Sequence, residues 1–440
     1  MPAANHIILN RHGRARRAIA VVVRLRCRRG ALGAAAAAFL ALTSIAFGPT
    51  VVAWNRQVDE RWVGTWSASP QLDATPIEIN GQTVREIVHT SIGGKRVRVR
   101  LSNAYGTSDL VIRSAHVAIS SSGSSIAPGT DRILRFNGSP TITIPPGALT
   151  VSDPVVLDIR RFDDLAVSLY LPEHVVANTH HEVALQTTYL STPGDFTGAI
   201  SLTATTTQSY YFLTGIEVVD SKPARAVVAL GDSVTDGFGS TADANQRWTN
   251  LLALRLQSNP GTSRVAVLNA GVSGNRILHD FLGTGALARL DRDVLVQTGV
   301  KYVIVLEGNA DFLIPGLIGN AAEVVTAAQV IQGHRQIIDR SHALGLMVYG
   351  GTLSPVEGYP FPGAWSPEME EKRQAVNRWI RTGGAYDAVI DFDKVLRDPT
   401  SPTRMLPAYD SGDHTHPNDL GSQAMADAVH LSLFGDDDEN

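Results

Sequence analysis

Two short blocks far apart in the chain hold residue types suited to nucleophilic chemistry. The first reads Gly231-Asp232-Ser233-Val234-Thr235-Asp236-Gly237 and follows a uniformly apolar run. A serine at a strand end, flanked by glycines, sits on a tight turn feeding a helix. Its hydroxyl then projects outward, and the backbone N–H groups of the turn can face a developing oxyanion. The same turn also fits a plainer role in which Asp232 or Ser233 caps the helix. The second block, Asp413-His414-Thr415-His416-Pro417-Asn418, precedes a closing helical pattern at 419–433. An aspartate three residues before a histidine can accept a hydrogen bond from one ring nitrogen while the other faces a serine hydroxyl and takes its proton. Pro417 holds His416 out of helical conformation. The alternatives are two ordinary loop histidines or a metal pair of His414 and His416. A metal needs further ligands, and no partner His or Cys stands at helical spacing elsewhere in this part of the chain. His414 is then a bystander.

Bringing such blocks into one crevice requires a scaffold that ends several elements at the same edge. Uniform apolar runs at 226–230, 265–269, 302–306, 346–349 and 388–390 alternate with helical spacing at 248–256, 286–296, 321–344 and 367–380. Strand, helix, strand in repetition predicts a parallel sheet covered on both faces, an α/β domain over 224–436. In such a sheet the ligand crevice lies beyond the carboxyl ends of the strands, where Ser233 falls. Residues 60–219 follow another rule. Period-two runs enriched in β-branched residues, at 84–88, 96–101, 110–112, 141–144, 165–171 and 210–213, are separated by turn clusters such as Gly93-Gly94, Asn137-Gly138 and Pro145-Pro146-Gly147. They predict an all-β sandwich of jelly-roll kind, joined to the second domain through a linker at 220–225. Within it His180-His181 reads as a strand or loop feature, and Trp62 and Trp66 as core residues.

With 440 residues, 44% of them apolar and 18% charged, the chain is too long for one ordinary core and has the composition of folded domains. The formal charge of −4 leaves no global basic field, and the arginines that cluster lie mostly near the start, which argues against nucleic acid as a partner. Residues 1–53 read as an export segment: an arginine-rich stretch followed by an uncharged run at 31–53. Small residues at Val51 and Ala53 permit cleavage before Trp54, and an alanine-rich run is only weakly hydrophobic, which favours a removed signal over a permanent anchor. The protein is therefore expected outside the cell, touching a membrane only through this segment if it stays uncleaved. The sole cysteine, Cys27, lies inside it, so the processed chain would have no thiol nucleophile and no disulfide.

Four blocks in order, Gly231-Asp232-Ser233, Asn269-Ala270-Gly271-Val272-Ser273-Gly274-Asn275, Glu307-Gly308-Asn309-Ala310-Asp311 and Asp413 with His416, resemble the marker blocks of SGNH (GDSL) hydrolases. The resemblance covers residue 225 to the end, and four ordered blocks are far more specific than any one. It implies a flavodoxin-like three-layer domain that hydrolyses carboxylic esters without a cofactor. Ser233 would be the nucleophile, His416 the base and Asp413 its orienter, with the Ser233 and Gly274 N–H groups in the oxyanion hole. The region opening Trp62-Val63-Gly64-Thr65-Trp66 is similar to the N-terminal part of secreted two-domain esterases of the family, some of which act on acylated carbohydrates. Short acyl groups on carbohydrate or other small alcohols are the substrates this implies. Two rivals stay open: a carbohydrate-binding or scaffold protein with weakened catalysis, and an acyltransferase using the same serine.

One departure from the family pattern motivates the first rival. The third block usually reads Gly-x-Asn-Asp, its asparagine amide being a third oxyanion donor, yet Ala310 stands at that position here. Either Asn309, displaced by one residue, reaches the hole, or the site works with two backbone donors. Removing one such donor typically costs about a hundred- to a thousandfold in rate. Ala310→Asn, paired with Asn309→Ile, is expected to raise kcat. An unchanged or lower rate in a folded variant would show that the site does not use that position.

Overall fold

The computed structural model describes residues 61–219 and 222–435. The stretch at 1–53 expected to direct export, with Cys27, two linker residues at 220–221 and the acidic tail at 436–440 lie outside the described residues.

Strand β1 (Arg225–Gly231) is a run of Val, Ala and Leu, and it is buried from Ala226 onward because neighbours flank it and helices cover it. It pairs in parallel with β2 (Val265–Gly271) on one side and β3 (Val300–Leu306) on the other, and β4 (Met347–Gly351) and β5 (Ala388–Ile390) extend the sheet. The order is β2-β1-β3-β4-β5, parallel throughout. The helices are α1 (Ser233–Asp236), α2 (Trp248–Ser258), α3 (Ala286–Leu290), α4 (Asn309–Leu317), α5 (Ala327–His342), α6 (Pro367–Thr382), α7 (Phe392–Leu396) and α8 (Asp419–Ala428). This is the α/β architecture expected from the alternating pattern. No helix among the described residues is long and apolar enough to cross a membrane.

Several boundaries differ from the sequence reading, each for a local reason. The pattern at 321–344 does not run as one helix: α5 starts after Thr326, where a capping box with Gln329 satisfies the first N–H groups, and 321–323 is a separate 3₁₀ turn. The pattern at 286–296 changes pitch into a π-turn at Asp291–Leu295. The closing pattern breaks at Val429, which is extended. Helix α4 escaped notice because Pro315 and Gly316 lie inside it and read as breakers.

The N-terminal region is strand-rich and antiparallel. A five-stranded sheet is centred on Leu213–Val219 and Gly94–Ser102, and a seven-stranded sheet on Glu78–His89 and Asp164–Val176. The predicted run at 210–213 divides at Phe212, whose φ of 64° places it in the left-handed region. The two parts, Tyr210–Tyr211 and Leu213–Val219, therefore join different sheets. Tyr210–Tyr211 pairs with Thr179–His181, which pairs in turn with Gln71–Leu72.

The described residues form one compact unit. The strand Val63–Ser67 lies against β2, with Ser67 Oγ donating to the Asn269 carbonyl at 3.0 Å and the Gly64 N–H donating to the Thr298 carbonyl at 2.8 Å. One buried apolar cluster runs through both regions, taking in Val97 and Leu165 on one side and Leu268 and Val303 on the other. Arg289 of α3, itself buried, reaches across the strand ends. It donates to the carbonyls of Gly231 (3.2 Å) and Ala270 (2.8 Å), to Asn275 Oδ1 (2.9 Å) and to Ser69 Oγ (3.1 Å). A buried guanidinium is tolerable only with its donors satisfied. Here that requirement fixes β1, β2, the loop after β2 and the N-terminal region relative to one another.

Candidate functional site

Ser233 is the first residue of α1, directly beyond the end of β1. The turn is tight enough to demand glycine at 231, where an added Cβ would lie 2.2 Å from Thr235 Oγ1 and 2.6 Å from the Leu306 carbonyl oxygen. Asp232 caps the helix by accepting from the Val234 N–H at 3.0 Å. The capping role that competed for this turn thus falls to Asp232 and leaves the Ser233 hydroxyl available.

That hydroxyl meets His416, whose Nε2 lies 2.7 Å from Ser233 Oγ, while His416 Nδ1 lies 2.5 Å from Asp413 Oδ2. The other oxygen of Asp413 accepts from the backbone N–H groups of Thr415 (3.0 Å) and His416 (2.9 Å). Burial works against ionising this carboxyl, but the ring and backbone donors outweigh it and hold Asp413 down at about 2. An ionised carboxylate can only accept, so Nδ1 carries the ring proton and Nε2 accepts from the serine hydroxyl. This arrangement can take up the serine proton as the oxygen attacks an electrophile. His414 turns away, with φ at 64° and its ring 2.6 Å from Asp410.

The three side chains line one side of a cavity of about 450 Å³. Phe281, Leu282, Leu313, Ile314, Leu317 and Phe361 also line it, and Phe238 packs on the His416 ring at 4.6 Å. Gly274 lies on the wall with φ at 69°, and a Cβ there would come within 3.0 Å of Leu282. Neither the Ser233 nor the Gly274 N–H donates a hydrogen bond among the described residues. Two backbone donors at the wall are thus available to a ligand oxygen. Asn309 and Ala310 also line the cavity. The Asn309 amide donates to the Ser354 carbonyl (3.2 Å) and hydroxyl (3.1 Å), so reaching a substrate oxygen would mean giving up those bonds.

Three carboxyls sit behind the serine. Burial pushes Asp232 up to about 6, against the Val234 N–H and His416 that favour its ionised form. Asp311, which accepts from the Ile277 and Leu278 N–H groups, is raised to about 6 by burial as well. Glu307 is fully buried, and burial holds it well above the usual range, with Asp232 adding repulsion. A residue the sequence gave no reason to associate with the site is His181, whose Nε2 lies 3.0 Å from Asp236 Oδ1 in α1. Its pairing crosses between the two regions, and only its place beside His180 drew notice.

The parallel sheet and its helices form an α/β domain that carries the hydrogen-bonded Ser-His-Asp line. Residues 229–424 match the GDSL-like lipase/acylhydrolase family, hydrolases acting on esters. No curated protein matches the chain. Similar solved structures include an acetyl xylan esterase at 19% identity, covering 46% of this chain and 96% of its own (TM-score 0.36). A carbohydrate acetylesterase from Sinorhizobium meliloti matches at 15% identity, covering 48% and 97% (TM-score 0.37). A GDSL-like lipase from Bacteroides thetaiotaomicron VPI-5482 matches at 15% identity, covering 48% and 91% (TM-score 0.35).

The raised carboxyl of Asp232 makes stability depend on pH. Its folded value of about 6 lies above the ordinary 3.8, so the folded state binds this proton more tightly than the unfolded chain does. Stability from this group is complete below the ordinary value and is lost as pH rises through about 6. Asp232→Asn keeps an acceptor for Val234 but has no proton to lose. Relative to wild type it should gain on the order of 2–3 kcal/mol between about pH 4 and pH 8, measured by urea unfolding. Parallel pH profiles for the two proteins would contradict the account.

Proposed function

We propose that the protein is a serine esterase that hydrolyses carboxylic esters through an acyl-enzyme on Ser233. The observation that carries this reading is the unbroken hydrogen-bonded line from Asp413 through His416 to the Ser233 hydroxyl, opening on an apolar cavity. In the proposed cycle Ser233 Oγ attacks the ester carbonyl as His416 Nε2 takes its proton, and the oxyanion forms against the Ser233 and Gly274 N–H groups. His416 then gives the proton to the departing alkoxide. A water molecule, deprotonated by the same nitrogen, attacks the acyl-enzyme and releases the acid and the free serine. Asp413, held ionised, keeps Nδ1 protonated and stabilises the imidazolium formed at each step.

The apolar lining of the cavity bears on the substrate. An acetyl group would leave most of a 450 Å³ cavity lined by Phe281, Leu313, Ile314 and Phe361 unfilled. Each methylene moved from water into such a lining contributes about 0.8 kcal/mol. This supports a longer aliphatic acyl chain than the short one implied by resemblance, and for the alcohol a carbohydrate or other small alcohol is retained from that resemblance. We place the activity outside the cytoplasm, on the arginine-rich start and the uncharged run at 31–53. The apolar cavity at the intact Ser-His-Asp line favours catalysis over a purely scaffolding role.

A series of 4-nitrophenyl esters tests activity and acyl preference together. kcat/KM is expected to rise about three- to fourfold per methylene from acetate towards octanoate, the rate equivalent of the burial term. Ser233→Ala and His416→Ala should abolish both turnover and labelling by a fluorophosphonate probe. A maximum at acetate would refute the acyl assignment, and full turnover by folded Ser233→Ala would refute the mechanism.

A further inference from the structure

The short strand Thr179–His181 of the N-terminal region delivers a buried imidazole to the underside of the site. His181 Nδ1 lies 2.9 Å from the Ser69 carbonyl oxygen, and Nε2 lies 3.0 Å from Asp236 Oδ1. A carbonyl and an ionised carboxylate both only accept, so both ring nitrogens carry hydrogen and the ring is a buried imidazolium. Tyr210 stacks beside it at 6.2 Å.

Asp236 is the last residue of α1, the helix that Ser233 begins. Its second oxygen accepts from both the backbone N–H (2.7 Å) and the hydroxyl (2.8 Å) of Ser273, the residue before Gly274. One buried carboxylate therefore joins the nucleophile's helix to the loop that carries the Gly274 N–H, and a cation from the N-terminal region holds that carboxylate in place. Arg247 adds a further tie by donating to the Asp236 carbonyl at 2.9 Å. Burial opposes the charge on His181, and Arg247 adds to that, but Asp236 and the Ser69 carbonyl outweigh both and raise its pKa. Burial opposes ionising Asp236, but His181, Ser273 and Arg247 outweigh it and keep the carboxyl below its usual range.

We propose that His181 is a positioning residue for ester hydrolysis: through Asp236 and Ser273 it sets where the Gly274 N–H points relative to Ser233 Oγ. The N-terminal β-region is then a working part of the active site rather than an appendage. This inference rests on the reading of Ser233 as nucleophile and of Gly274 as an oxyanion donor. Misplacing a reacting geometry by about 1 Å can cost on the order of a hundredfold in rate. Loss is expected in the tetrahedral state, where the oxyanion exists, and not in ground-state binding.

The test compares His181→Leu and His181→Gln with Ser233→Ala in the full chain. The readouts are kcat, KM, thermal unfolding and inhibition by an alkyl trifluoromethyl ketone, which adds the serine O–H across its carbonyl to give a tetrahedral hemiketal. His181→Leu should lower kcat about ten- to a hundredfold with KM within about twofold, and weaken the ketone by a similar factor. His181→Gln, keeping one donor towards Asp236, should recover part of both losses. If the leucine variant does not fold, the glutamine variant decides alone by its intermediate kcat and ketone affinity. Wild-type kcat and ketone affinity in a folded variant would overturn the inference, as would a loss confined to KM or to the folded fraction. Turnover by Ser233→Ala would instead sink the esterase reading on which it rests.

Discussion

The hydrogen bond from the Ser233 hydroxyl to His416 Nε2 closes a loop of 183 residues, and almost everything else in the α/β domain serves to place its two ends. At one end, the parallel pairing of β1 with β2 and β3 fixes where the strand stops, and the glycine at 231 lets the chain turn there without collision. At the other end, a loop closed by a single β-bridge between Asp410 and Pro417 must hold the imidazole in place. It does so by using Asp413 twice, with one oxygen on the ring and the other on two backbone N–H groups of the same loop. Asn418 completes the anchorage. Its Oδ1 caps α8 at Gly421, and its amide donates to the carbonyls of Ala408 and Asp410 at 3.1 Å each.

The polar interior beneath the site follows from the same constraint. Strand ends and loops that converge on a crevice leave backbone carbonyls without ladder partners, and a buried acceptor without a donor is costly. Arg289 meets several of them at once, and the ion pair of His181 with Asp236 does comparable work beneath α1 and the Ser273-Gly274 turn. Because Ser69 and His181 belong to the N-terminal region, the α/β domain does not satisfy its own buried polar groups unaided. The acids behind the serine remain raised because no comparable donor set reaches them.

Much of this was legible in the sequence where the signal is local. The uniform runs at 226–230 and 302–306 and the period-two runs at 84–88 and 165–171 state their burial pattern in their own residues, and the strands fall there. Ser233 with its glycines, and Asp413 with His416, could be singled out because each motif is complete within a few positions. His181 could not, since its meaning depends on Asp236, which only the fold brings near. The cavity was hidden for the same reason. Phe238, Phe281, Leu313 and Phe361 come from separate segments, and each alone reads as an ordinary loop or core residue. Ala310 was visible as a departure, but that the neighbouring Asn309 amide would bond to Ser354 depends on a contact 45 residues distant.

The central claim is that Ser233 Oγ, activated by His416, becomes covalently acylated during turnover. Mixing the protein with excess 4-nitrophenyl octanoate, quenching in acid within milliseconds and mapping peptides by mass spectrometry tests it directly. The account predicts close to one octanoyl group per molecule on the peptide containing Ser233, and none in His416→Ala. An unmodified Ser233 in protein that is turning over ester, or an acyl group on another residue, would contradict it.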